Sequence, residues 1–100
     1  MTIAELNDAF RRSFTGGQVF VTRGISALPQ DAQAAITARV RSFEKFDENN
    51  EHDFGSFELV SRKFFWKIDY YDKRCEFGSD DPADLDKTTR VLTIMLAEEY

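Results

Sequence analysis

The chain has 100 residues, of which 42% are hydrophobic and 14% aromatic, so it has the size of one domain and lacks the composition of a disordered protein. Its net charge is −5, and the charge is uneven, since residues 1–46 carry +2 and residues 47–100 carry −7. This acidity disfavours direct binding to DNA or RNA and favours basic partners. The single cysteine, Cys75, excludes an internal disulfide.

The first predicted helix begins at a capping box. Thr2 and Glu5 have the spacing at which a hydroxyl and a carboxylate each accept a backbone N–H at a helix start. We therefore predict a helix from Ile3 to Ser13, ended by the glycine pair at 16–17. The following sequence QVFVTRG, residues 18–24, is rich in β-branched and aromatic residues, which predicts a short strand.

Two further elements flank the middle of the chain. Residues 30–43 place apolar side chains three and four apart, which predicts an amphipathic helix. The sequence SFELVSRKFFWKIDYYD alternates apolar and polar residues around a turn expected at 61–63, which predicts a β-hairpin. One face of that hairpin would carry the apolar residues Phe57, Leu59, Phe64, Trp66, Ile68 and Tyr70.

The last predicted element is a helix. Asp81 is placed to cap it and Pro82 to occupy its first position, and the run TTRVLTIMLAEEY continues it with a broad apolar face. Such a face would be deeply buried or shared with a second copy of the chain. Its β-branched residues also favour a strand, but the length and the cap favour the helix.

These elements predict an α+β fold: a single compact domain over residues 1–100, in the order α-β-α-β-β-α, with helices packed on one face of a small antiparallel sheet. The N-terminal sequence MTIAELNDAFRRSF has no apolar segment behind a basic start. No run reaches the roughly eighteen apolar residues of a membrane helix. We expect a soluble cytoplasmic protein with no membrane contact.

The most charged stretch, FDENNEHDFGSFE at residues 46–58, holds the only histidine of the chain. Together with the loop at 80–86 and the nearby tyrosines, it forms a candidate surface for a basic partner protein. The proposed partner-binding residues are Asp47, Glu48, Glu51, Asp53, Tyr70, Tyr71, Asp80 and Asp81. A solubilising acidic face is the alternative interpretation of the same residues.

A metal site is the second interpretation of this stretch. His52 and Asp53, joined by a carboxylate such as Asp69 or Asp72, would suit manganese, iron or zinc. Local hydrogen bonding that orders the entry to the strand would explain the same pair. A calcium loop is disfavoured, because His52 stands where its sharp turn requires glycine. The sequence contains no glycine-rich phosphate-binding loop, and no histidine follows Cys75 to act as its catalytic partner. We therefore expect no cofactor and no catalytic residue.

Several blocks resemble a known family. LNDAFR, VTRGISAL, NNEHDFGSFE, WKIDYYD and GSDDPADLDKTTRVLTIMLAEEY are similar, from Leu6 to Tyr100, to the small bacterial proteins of domain of unknown function family 3768. The resemblance implies an origin on plasmids, phage-related islands and other mobile DNA, but it implies no catalytic residue. Small acidic proteins of such elements often inhibit host defence, as anti-restriction and anti-CRISPR proteins do.

We therefore expect a non-enzymatic protein that occupies the basic surface of a partner, such as a CRISPR or restriction complex. A metal-binding protein or metal-assisted hydrolase centred on His52 and Asp53 is the second hypothesis. A homodimeric structural module joined through the last helix is the third.

Overall fold

A computed structural model describes residues 1–47 and 50–100. Within them lie three helices and four strands, followed by a single 3₁₀ turn at Ala97–Glu99. The helices are α1 (Ile3–Ser13), α2 (Arg23–Ser26) and α3 (Gln30–Arg41), and the strands are β1 (Gly17–Val21), β2 (Phe54–Leu59), β3 (Arg62–Tyr71) and β4 (Thr89–Leu96). None of the helices in the described part of the chain has the length and apolar character needed to cross a membrane.

The capping box fixes the start of α1. The hydroxyl of Thr2 accepts the N–H of Glu5 at 3.1 Å, and the Glu5 carboxylate accepts the N–H of Thr2 at 2.9 Å. Two N–H groups that have no partner inside the helix are thereby satisfied. At the other end Phe14 adopts the left-handed conformation that ends the helix. The predicted bounds of this helix are confirmed.

The four strands form one mixed sheet in the order β1-β4-β3-β2. Strand β1 runs parallel to β4, whereas the β4–β3 and β3–β2 pairs are antiparallel. The predicted hairpin is confirmed as β2 and β3, but its turn lies at Val60 and Ser61, slightly before the predicted position. Both turn residues have positive φ, as the commonest two-residue hairpin turns require.

The hydrophobic core lies between one face of the sheet, here called the inner face, and the helices. Alternate residues of β2, β3 and β4 point to it, which is the pattern expected for a sheet covered on one side. The prediction that the helices share one face is confirmed. The core residues are Phe10, Ile25, Ile36, Val40, Phe57, Phe64, Trp66, Ile68, Leu92, Ile94 and Leu96.

The predicted α+β class is confirmed, but the prediction of a final helix was wrong. Residues 89–96 form β4, and the preceding residues 82–88 contain turns. Arg90, Leu92, Ile94 and Leu96 alternate on the inner face, and β-branched residues between them suit a strand. Because β4 adds a parallel pair with β1, the sheet is mixed and not wholly antiparallel. The helical dimer face expected here does not exist, since β4 is a central strand paired on both edges.

Two other boundaries differ from the predictions. The strand expected over residues 18–24 is β1 (Gly17–Val21), and its predicted last residues instead enter the short helix α2. The helix expected over residues 30–43 is α3, which ends at Arg41. Phe43 lies beyond α3 but still packs against the core. Its spacing from the apolar residues of α3 therefore indicated that it is buried, but not that the helix extends to it.

Candidate functional site

The predicted acidic residues lie in two segments of the chain, here called the first acidic segment (residues 47–53) and the second acidic segment (residues 79–87). The first leads into β2 and the second connects β3 to β4. Asp47, Glu51, Asp80 and Asp81 are exposed there, whereas Asp53 is partly buried. Glu48 lies outside the described residues. The structure thus presents most of the predicted carboxylates to solvent.

Asn7, a fully buried residue of α1, connects the two segments. Its Nδ2 donates to the backbone carbonyl of Glu51 at 2.9 Å, and its Oδ1 accepts from Nε of Arg90 at 2.7 Å. Nη2 of Arg90 in turn donates to the carbonyl of Pro82 at 2.6 Å. Three hydrogen bonds therefore link the first acidic segment to the second, so both segments lie beside α1.

Tyr70 extends this chain of hydrogen bonds. Its hydroxyl accepts from Nδ2 of Asn7 at 2.7 Å and donates to Oδ2 of Asp53 at 3.2 Å. Its ring lies beneath the guanidinium of Arg90, at 5.3 Å from the ring centre. Burial raises the pKa of Tyr70 to about 12, since the phenolate would lose solvation. The hydroxyl therefore stays protonated and keeps donating to Asp53 well above neutral pH.

Tyr71, which was proposed with Tyr70 as a partner-binding residue, lies on the opposite face of the sheet. The inner face takes Phe64, Trp66, Ile68 and Tyr70, and adjacent residues of a strand point to opposite faces. Tyr71 pairs across the sheet with Thr89. The two tyrosines thus belong to different environments, and the hydroxyl of Tyr70 is engaged within the protein.

His52 belongs to a second cluster, which includes Asp8 and Arg11 of α1. Its Nδ1 lies 2.9 Å from both carboxylate oxygens of Asp8, and its ring stacks on Phe46 at 3.9 Å between centres. Asp8 also accepts from Nη2 of Arg11 at 2.9 Å. The buried Arg11 lies over the rings of Phe46 and Trp66, and burial lowers its pKa. Asp8 therefore holds both the imidazole and a buried guanidinium.

The carboxylates proposed to complete a metal site are occupied elsewhere. Asp69 projects from the outer face and pairs with Nζ of Lys67 at 3.0 Å. Asp72 accepts from the backbone N–H groups of Arg74 and Glu76. Across residues 1–47 and 50–100, no group of three histidine, cysteine or acidic side chains is close enough to hold a metal ion.

Residues 21–99 match the family model described as "Protein of unknown function (DUF3768)". The chain belongs to this family. The resemblance seen in the sequence is thereby confirmed over most of its length. No curated protein and no solved structure matches the chain. Within the DUF3768 match lie both acidic segments, Tyr70 and Arg90, whereas α1 with Asn7 and Asp8 precedes it.

The buried polar residues of this DUF3768 protein were not predicted from its sequence. Asn7 and Asp8 lay within the predicted first helix without an assigned role, and Arg90 lay within the predicted last helix. One signal was present for Arg90, which stands two residues before Leu92 and four before Ile94. In a strand this spacing places the guanidinium on the core face. No comparable signal marks Asn7.

Proposed function

We propose that this protein acts by binding a partner protein through a basic surface of that partner, without catalysing a reaction. The supporting observation is the link through Asn7 and Arg90, which holds two acidic segments beside one another although about thirty residues separate them in the chain. A set of fixed carboxylates attracts and orients a positively charged surface better than scattered ones do.

The hydrogen bonding of the second acidic segment supports a fixed surface. The Thr88 hydroxyl donates to the carbonyl of Asp81 at 2.8 Å, and Oδ1 of Asp81 accepts the N–H of Ala83. Oδ1 of Asp84 accepts the N–H of Asp86 at 2.9 Å. These bonds order the backbone locally, so less conformational entropy would be lost when a partner binds.

Exposed apolar side chains accompany the carboxylates. Leu85 is 55% exposed within the second acidic segment, and Phe77, just before it, is 71% exposed. Burial of such groups contributes affinity that charge pairs at the rim of an interface do not supply. The segment therefore combines long-range attraction with apolar contacts.

The partner surface that we propose is one that otherwise binds nucleic acid. Rows of carboxylates can take the place of phosphates against Lys and Arg side chains. CRISPR and restriction complexes carry such surfaces, and inhibition of one of them is the role that the resemblance to proteins of mobile DNA led us to expect. The cytoplasm is the corresponding location.

The experiment begins with capture of a stoichiometric partner from a nuclease-treated host lysate and its purification. The affinity of that partner is then measured for Glu51→Lys/Asp80→Lys, which reverses one exposed carboxylate in each acidic segment. The control, Glu58→Lys/Glu98→Lys, makes the same charge change beside the β2–β3 hairpin turn, at the other end of the sheet. We expect the first variant to weaken binding at least about tenfold and the control to have little effect.

Two further measurements follow from the proposal. Wild-type affinity should fall as salt rises, and single-stranded or duplex DNA should compete with the protein for the partner. Equal affinities for the two variants, or binding that DNA leaves unchanged, would contradict the proposed interface. Circular dichroism of both variants establishes that any loss does not arise from unfolding.

A further inference from the structure

Arg90 is a buried cation that has no carboxylate partner in the described part of the chain. The residue is 2% exposed, and its guanidinium has five N–H donors. One is used by Oδ1 of Asn7 and one by the carbonyl of Pro82, and both acceptors are neutral. Nη1 is buried and has no hydrogen-bond partner among the residues that the structure describes.

Arg11, which is also buried, has the carboxylate partner that Arg90 lacks among the described residues. Asp8 accepts from Nη2 of Arg11 at 2.9 Å, so the charge of this guanidinium is compensated. No carboxylate within residues 1–47 and 50–100 forms an ion pair with Arg90. A buried charge is normally paired, because its desolvation is otherwise uncompensated. Arg90 is therefore suited to an anion that comes from outside the chain.

A cleft of about 200 Å³ lies beside this region. It lies between α1 and Leu85 of the second acidic segment, and Arg90 forms part of its lining. Leu6, Ala9 and Phe10 supply an apolar wall from α1. Because Nη1 itself is covered, a ligand must shift part of the lining to reach it. Leu85 is the exposed member on a segment of turns, and we expect its side chain to move.

We propose that this cleft binds a small monocarboxylate, with the carboxylate paired to Arg90 and a compact apolar group against the α1 wall. A guanidinium and a carboxylate match in geometry and charge. The volume suits a group of about six carbons, since a cavity of about 150 Å³ binds benzene. Asp84 and Asp86 line the adjoining cleft, so an anion with a single charge meets less repulsion than a phosphate.

Benzoate and its neutral analogue benzamide are the probes that test the proposal. Each is titrated into the ¹⁵N-labelled protein, and backbone amide shifts are followed by NMR. We expect benzoate to produce saturable shifts centred on Leu6, Ala9, Leu85 and Arg90. Benzamide should bind at least about tenfold more weakly, because it lacks the charge that pairs with the guanidinium.

A matched pair of variants separates binding from folding. Ala9→Phe places a ring at the cleft and keeps Arg90 itself, whereas Ala34→Phe makes the same change at an exposed position of α3. Benzoate binding should be lost in the first variant and kept in the second. Absence of saturable shifts, equal affinity for benzamide, or benzoate binding that survives Ala9→Phe would each overturn the proposal. None of these results depends on the proposed protein partner.

Discussion

Asn7 and Arg90 are 83 residues apart in the chain, yet Oδ1 of Asn7 accepts from Nε of Arg90 at 2.7 Å in the buried interior. This bond joins α1 to the start of β4, and both acidic segments are hydrogen-bonded to these two residues. A neutral amide can serve both sides because it accepts from the guanidinium while it donates to Glu51 and Tyr70.

Replacement of Asn7 by alanine should therefore be costly. The change leaves Nε of Arg90, the carbonyl of Glu51 and the hydroxyl of Tyr70 without one partner each. We expect the free energy of unfolding to fall by about 2–4 kcal/mol, measured by urea denaturation. Arg12→Ala on the same helix removes an exposed ion pair with Glu44 at 3.7 Å, so it should change stability by less than about 1 kcal/mol. Similar values for the two variants would contradict a central role for Asn7.

The ionisation of Tyr70 should make stability fall at high pH. Its pKa is about 12 in the folded protein, above the ordinary value of 10.0. The unfolded chain therefore releases this proton first, and the contribution of the protonated hydroxyl, fully present below pH 10, is lost as pH rises towards 12. We expect a decline of up to about 3 kcal/mol over that range.

Urea denaturation of wild type and Tyr70→Phe at several pH values isolates this effect, because phenylalanine cannot ionise. The difference in stability between the two proteins should change between pH 10 and 12 in favour of the variant. Tyr71→Phe, on the other face of β3, is the control and should retain the wild-type decline. A parallel decline in Tyr70→Phe would show that other groups cause it.

Gly55 should tolerate no side chain. A Cβ atom at this buried position of β2 would overlap Nε1 of Trp66 and lie 2.9 Å from Cε1 of Phe43. Gly55→Ala should lower the unfolding free energy by about 2–3 kcal/mol. Gly78 offers the matched control, because the nearest atom to its Cβ would be the carbonyl oxygen of Tyr70 at 3.8 Å. If thermal denaturation gives equal effects for the two alanine variants, the close packing of Trp66 on β2 is wrong.

Substitutions in the β2–β3 hairpin turn should stabilise the protein. Val60 has φ 50° and Ser61 has φ 63°, a left-handed conformation that β-branched residues adopt at a cost. Val60 is 89% exposed, so its side chain contributes little packing. Val60→Asn/Ser61→Gly should raise the unfolding free energy by about 1–2 kcal/mol. Val60→Ile keeps the β-branch and should bring no gain. Chemical denaturation of both variants checks the difference, and a destabilised Asn-Gly variant would contradict the turn conformation.

Local signals predicted much of the fold. The capping box at Thr2 and Glu5 defined α1, and strict alternation from Phe64 to Tyr70 defined β3 and its buried face. The prediction for residues 89–96 was wrong because apolar residues occupy both faces of β4, so a helical and a strand period fit the sequence equally well. The cap at Asp81 and Pro82 exists only as a turn, in which Asp81 accepts the N–H of Ala83.

The site was less predictable than the fold. The composition of the acidic segments indicated where charge would concentrate. Local hydrogen bonding was expected for His52 and Asp53, but their side chains bond to Asp8 and Tyr70. These partners are distant in sequence, and no local pattern specifies such pairs. The position of Tyr70 in the interior followed from alternation, but its hydrogen bonds required the packing of α1.

The strand order carries a consequence for how the chain assembles during synthesis. Among the described residues, strand β1 pairs in the sheet with β4 alone, and the β2–β3 hairpin is connected to β1 through β4. Residues 17–21 must therefore wait for residues 89–96 to leave the ribosome before their backbone groups find strand partners. Such distant pairing slows folding and leaves apolar strands open to misassociation in the meantime. Completion of the sheet thus depends on β4, which is synthesised after the three other described strands.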